Sequence, residues 1–123
     1  MAAPNIVNVT SIFGKTIGES LTTSSATIVS CPANKVLKIN SIIVSNIDGT
    51  NAADVTVNFF DNSNPTTPVH ALAHTIGVPA DSTLVVLSKD TSIYLEESDS
   101  IQAFASATGD LQIVISYEEI DDA

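Results

Sequence analysis

The stretch Ile101-Gln102-Ala103-Phe104-Ala105-Ser106-Ala107-Thr108-Gly109-Asp110-Leu111-Gln112-Ile113-Val114-Ile115-Ser116-Tyr117 decides the fold class. Leu111, Ile113, Ile115 and Tyr117 fall on one side of an extended chain. Gln112, Ser116 and Glu118 fall on the other, with Val114 as the interruption. A period of two belongs to a strand with one buried face, since successive side chains point to opposite sides of a sheet. Thr108-Gly109-Asp110 separates this run from the apolar run Ile101 to Ala107. Gly-Asp tolerates the positive φ angles of tight turns, so the two runs are expected to pair as a hairpin.

The same grammar repeats outward from this pair. Short apolar or alternating runs are closed by clusters of Gly, Pro, Asn, Asp or Ser at intervals of about 8 to 12 residues, the spacing of a sandwich or barrel. The runs are Ile6 to Ile17 (broken at Gly14), Ala26 to Ser30, Val36 to Ile47, Val55 to Asp61, Val69 to Ile76, Thr83 to Leu87 and Ile93 to Leu95. No stretch sustains apolar residues at i, i+3, i+4 and i+7 over three helical turns. The reading is one all-β domain over residues 1–123. It is a single antiparallel two-sheet β-sandwich of about nine strands, jelly-roll-like. Residues 1–8 are a candidate N-terminal arm.

Within Val36 to Ile47, the residues Ile39, Ile42, Ile43 and Val44 are apolar on both faces of a regular strand. Either the strand is central and covered twice, or it faces a partner, because a sandwich buries only one face of each sheet. These four residues are the candidate subunit interface. Two corners echo one another: Cys31-Pro32-Ala33-Asn34-Lys35-Val36-Leu37 and Val78-Pro79-Ala80-Asp81-Ser82-Thr83-Leu84 share x-Pro-Ala-(Asn/Asp)-x-x-Leu. In both, Pro ends a strand and Asn or Asp supports the turn.

Charge excludes a class of partner. The chain has four Lys, no Arg and fourteen acidic residues, a formal net charge of −10. Phosphate backbones are bound through Lys and Arg, so a nucleic-acid partner is not expected. Hydrophobic residues make up 44% and charged ones only 15%, which fits a packed core and not a disordered chain. No apolar run reaches the ~18 residues of a spanning helix, so no membrane partner is expected. Met1 to Asn5 lacks the basic and apolar regions of a secretory signal, from which use without export is expected.

Candidate chemistry is sparse. His70 and His74 are four apart, but in an extended segment that places them ~13 Å apart on one face, too far to share a zinc ion with ~2 Å bonds. Glu96, Asp99, Asp48 and Asp61 could converge on calcium at the loops, although no twelve-residue calcium loop is present. The acidic pairs near Glu96 and Glu118 lack the aromatic cleft of a glycosidase, there being no Trp. No serine lies in a Gly-x-Ser-x-Gly setting, the five glycines form no phosphate loop, and Asn8-Val9-Thr10 is a sequon without a secretory signal. Cys31 stands alone, with no disulfide partner, and reads as a small buried apolar residue. The chain is read as a non-enzyme that needs no cofactor, metal or small-molecule substrate.

The succession Ala26 to Val29, Cys31 to Leu37, Ile42 to Asn46, Val78 to Leu84, Ile93 to Ile101 and Ser116 to Ile120 resembles small β-sandwich virion proteins of tailed bacteriophages, those of marine and cyanobacterial phages most of all. The likeness runs from about residue 24 onward. In that pattern the corners read Pro-Ala-Gly and Glu-Glu-Gly-Asp; here Asn34, Asp81 and Ser98 stand where Gly is usual. The resemblance implies a structural subunit of the virion, a capsid decoration or cement protein. Its partners would be copies of itself, a trimer favoured, and a major capsid or other virion protein. Neck, tail or fibre attachment is the alternative place in the particle. A calcium-dependent carbohydrate-binding module is the alternative of another class.

Overall fold

The computed structural model describes residues 9–122 and contains nine strands. They are β1 (Val9–Ser20), β2 (Ala26–Ser30), β3 (Lys35–Asn46), β4 (Ala53–Phe60), β5 (Val69–Val78), β6 (Thr83–Leu87), β7 (Ile93–Leu95), β8 (Ser100–Ala105) and β9 (Leu111–Asp122). A single 3-10 turn, Lys89–Thr91, joins β6 to β7. The expected N-terminal arm, residues 1–8, lies outside the described residues.

The strands form two antiparallel sheets. The first runs β1-β9-β3-β6, with β7 also paired to β3; the second runs β2-β8-β4-β5. Consecutive strands lie in opposite sheets except for β4–β5 and β6–β7, as in a jelly roll. Leu37, Ile39, Ile42, Val44, Leu111, Ile113 and Ile115 from the first sheet enter one core with Ile28, Val55, Val57, Ile101, Ala103 and Ala105 from the second. Burying each large aliphatic side chain stabilises the fold by roughly 1.5–3 kcal/mol. The small Ala103 and Ala105 let the two layers close.

The expected hairpin between the last two runs does not form. β8 pairs with β2 and β4, while β9 pairs with β1 and β3. Alternation reports which face a residue occupies, and it is the same whether two strands lie side by side or face each other across a core. Length separates the two cases. The twelve residues of β9 find twelve-residue partners in β1 and β3, whereas β8 has six. Gly109, at φ +89, turns the chain from one sheet to the other. Its N–H donates to the Leu21 carbonyl at 3.1 Å, so the β8–β9 and β1–β2 crossings brace each other. Leu21, 1% exposed, plugs that end of the core.

Asn34, Asp81 and Ser98, the residues found where the resembled pattern carries Gly, have φ of 62°, 58° and 70°. All three corners need the left-handed conformation that Gly adopts without penalty and that Asn and Asp tolerate best. The Pro-Ala-Asn and Pro-Ala-Asp corners are thus the same turn used twice. Thr75, at φ 46°, is a fourth such residue. It lies where the β4–β5 register slips between Val55 and Val57.

Candidate functional site

The four candidate interface residues do not share a face. Along β3 the pairing with β9 shifts between Ile39 and Ser41, so that Asn40 is an extra, bulged residue. A bulge reverses the phase of everything after it. Leu37 and Ile39 point inward before it; Ile42 and Val44 point inward after it. Ile39, Ile42 and Val44 are wholly buried in the protomer, which keeps them from touching any partner. Ile43 is the member of the set that lies on the outer face.

Ile43 belongs to a row that crosses the whole first sheet. Its partner on β9 is Val114, whose partner on β1 is Gly18, and its partner on β6 is Val85. Val114 is 41% and Val85 58% exposed. The row on one side is Ser20, Gln112, Ser45 and Thr83, with Ser45 and Thr83 hydrogen-bonded through their hydroxyls at 3.1 Å. The row on the other side holds Thr16, Ser116 and Ser41. No charged residue stands in these three rows. The next row carries Gly14, Glu118, Lys38 and Tyr94, in which Glu118 and Lys38 are direct cross-strand partners of opposite sign. Over these four rows the outer face of the first sheet thus carries no net charge, in a chain of net charge −10. Val114, met in the sequence as an interruption of the alternation, was the sign of it.

The two glycines on this face are not demanded by the fold. Neither has a positive φ, and a Cβ built on Gly18 would meet nothing closer than 3.8 Å, on Gly14 nothing within 4 Å. Gly18 leaves a shallow open depression of about 210 Å³, lined by Gly18 to Ser20 of β1 and Gln112 to Val114 of β9. Its one acidic lining residue, Glu19, is the cross-strand partner of the inward Ile113 and so alternates away from the face that Gly18 shares with Val114.

Of the four acidic residues named for calcium, Asp99, Asp48 and Asp61 accept hydrogen bonds within their own corners, and Glu96 is exposed. Asp99 is buried; its carboxylate accepts the backbone N–H of Asn62 at 2.9 Å and of Glu96 at 3.1 Å. Asp48 accepts the N–H groups of Thr50 and Asn51, and those bonds hold its carboxyl below the usual carboxylate range. Asp61 accepts the N–H and hydroxyl of Ser63 in a turn. Among the described residues, no three His, Cys, Asp or Glu side chains converge as a metal site would need. His70 and His74 lie exposed on β5, an edge strand of the second sheet. Cys31 is buried, its Sγ–H donates to the Lys35 carbonyl at 3.1 Å, and burial pushes the thiol up to about 11.

At the far end of the first sheet, Lys15 pairs with Glu119 at 3.2 Å and Lys35 with Asp121. Two of the four cations are thereby neutralised within the protomer.

No protein-family model matches the chain, and no curated protein does. Solved structures do. A protein of Bacillus endospore appendages, a family of disulfide-linked pili, superposes with a TM-score of 0.55 at 15% identity, over 92% of this chain and 88% of that one. A chain from the acid-stable capsid of Helicobacter pylori bacteriophage KHP30 superposes with a TM-score of 0.52 at 6% identity, over 94% and 91%. This chain shares the fold of those two proteins. A chain of the cyanophage Pam1 capsid matches 98% of this chain and 92% of its own length at 16% identity, with a TM-score of 0.41, a value from which a shared fold does not follow. Likeness at these identities carries architecture and leaves function to the site.

Proposed function

We infer that the chain is a non-enzymatic structural subunit of a tailed-phage virion, and within that class a capsid decoration or cement protein. The observation that carries this is a sheet face without net charge, its one Lys and one Glu being cross-strand partners, on an otherwise strongly acidic sandwich. A surface of that kind serves packing against another protein surface, where an unpaired charge would have to be desolvated. Three further points support it. The same fold, spanning nearly the whole of both chains, builds the capsid of phage KHP30 and a bacterial pilus. The carboxylates, the histidines and the cysteine are occupied in turns, exposed singly or buried. The corners that carry the sequence resemblance are also the left-handed turns of the fold.

Self-association is part of this reading. The resemblance implies a trimer, whereas the outer sheet face supports pairing. The virion is the expected location and a major capsid protein the expected heterologous partner.

Mass spectrometry and cryo-electron microscopy of purified particles test the proposal. The chain is expected as a stoichiometric component, with density on the outside of the shell. Density confined to the neck, tail or fibres would move it to those parts, and absence from the particles would remove the virion reading.

A further inference from the structure

We propose that the outer face of the β1-β9-β3-β6 sheet is a self-association surface, and that its occupant is the same face of a second copy. The inference deepens the structural-subunit reading and rests on it for the kind of partner sought.

Electrostatics selects the occupant. Two copies each carrying −10 repel, and that repulsion is smallest where the approaching surfaces bear no net charge. Across the rows from Ser20 to Gly14, the charged side chains are Lys38 and Glu118, one of each sign on adjacent strands. Such a face is complementary to itself, as a two-fold contact requires. A basic partner would find its complement anywhere else on the surface and would gain nothing from this face.

Shape gives a second and independent argument. Val114, Ile43 and Val85 form a continuous apolar ridge, and Gly18 ends it in a dent beside Val114. Glycine in a strand interior costs roughly 0.5–1 kcal/mol relative to Ala. No φ and no contact within the protomer calls for it at either position of β1. No register shift falls at either glycine, which leaves the close approach of a ligand or of another backbone as the use of a strand glycine. At ~4.8 Å spacing, about nine residues each of β1, β9 and β3 with the five of β6 present on the order of 500 Å². Counted over both partners that is about 1,000 Å², the least a specific interface needs.

The test is the mass of the isolated full chain by analytical ultracentrifugation across a concentration series. The wild type is expected to approach the mass of two copies. V85E/V114E places four new carboxylates in the contact on positions already exposed, so folding is retained and dissociation is expected to be favoured roughly tenfold or more. G18Q, which has room in the protomer, fills the dent and should act the same way if the double variant does not fold. V69E, on β5 of the other sheet, adds the same charge and should leave the mass of two copies unchanged. A wild type that stays at the mass of one copy at about 100 μM, far above the dissociation constants of specific interfaces, overturns the proposal. So does a mass of three copies, or a pair that V85E/V114E and G18Q leave intact. None of these outcomes bears on whether the chain is found in purified particles, so the two readings fail separately.

Discussion

The carboxylate of Asp99 accepts the backbone N–H of Asn62 at 2.9 Å, tying the loop after β4 to the acidic corner before β8. Its second oxygen accepts the N–H of Glu96, and its own carbonyl accepts the N–H of Cys31 at 2.9 Å. A buried carboxylate is stable in a fold when such donors replace its water. Asp99→Ala removes the acceptor for two amide groups at once and is expected to cost about 3 kcal/mol in urea unfolding. Asp99→Asn keeps one acceptor oxygen but turns an amide donor toward the other N–H, and should cost about as much. Millimolar calcium should leave the melting temperature of the wild type unchanged, because both oxygens are engaged. A calcium-dependent rise that Asp99→Asn abolishes would assign this corner to metal binding instead.

Ser98, beside it, is exposed and held at φ 70°. A side chain at that angle costs roughly 1 kcal/mol relative to glycine. Ser98→Gly is therefore expected to raise stability by about that amount, or a few degrees in melting temperature, and Ser98→Val to lower it by more. Thr75 is the more strained case, being β-branched at φ 46°. Its N–H donates to the Thr56 hydroxyl at 3.1 Å, a bond that Thr75→Gly would keep. The same gain is expected there, read by thermal melting followed by circular dichroism.

These corners also show what could be read from the chain before its structure. Sandwich class, nine strands and turn positions followed from period and punctuation, since those signals are local. Asn34, Asp81 and Ser98 were visible only as departures from Gly; that all three hold the left-handed angle emerges from the structure. Strand partners were not legible. Ile101 to Ala105 and Leu111 to Ile115 alternate correctly whether they are neighbours or face each other, and only their unequal lengths separate the cases. Nor was the bulge at Asn40 legible, because its signature, apolar residues on two faces, is shared with a strand covered twice. For the same reason the candidate interface set mixed three core residues with Ile43, and the outward row of Val85 and Gly18 emerges only once β6 and β1 are placed beside β3 and β9.

Two groups contribute to the pH dependence of stability in opposite directions. The amide N–H groups of Thr50 and Asn51 lower the Asp48 carboxyl below its ordinary 3.8 in the folded protein. The folded state then binds fewer protons than the unfolded one. The stability from those bonds is present above the unfolded value and is lost as pH falls through the folded one. Asp48→Asn should flatten the acid limb of the stability curve below about pH 4. Cys31 works the other way. Its thiol is raised from 9.0 to about 11, chiefly by burial, so its contribution is present below pH 9 and lost as pH rises toward 11. Cys31→Ala should remove that alkaline decline. At pH 8 the wild-type thiol should react with a disulfide reagent only as fast as the protein opens. Reaction at the rate of a free thiol would contradict the buried placement.

The bulge at Asn40 makes the sharpest claim about β3. In a regular strand Ile39 and Ile43 would share one face and Ile42 the other, so truncating Ile39 and Ile42 could not both damage the core of one sandwich. With the bulge, both point inward and both are wholly buried. Ile39→Ala and Ile42→Ala are each expected to cost about 3 kcal/mol, the range for removing a buried isoleucine side chain beyond its β-carbon. Ile43→Thr, a change on the outer face, should cost less than about 1 kcal/mol in the isolated protomer. Deleting Asn40 would join Ile39 to Ser41 as successive residues of a regular strand, with Lys38 still outward and Ile42 still inward, so a folded deletion variant is expected. Equal costs at Ile39 and Ile42 with a small cost at Ile43 fit only a strand that reverses phase between them. A large cost at Ile43 alongside a small one at Ile42 would require β3 to run straight, and would place the apolar ridge of the first sheet on different residues.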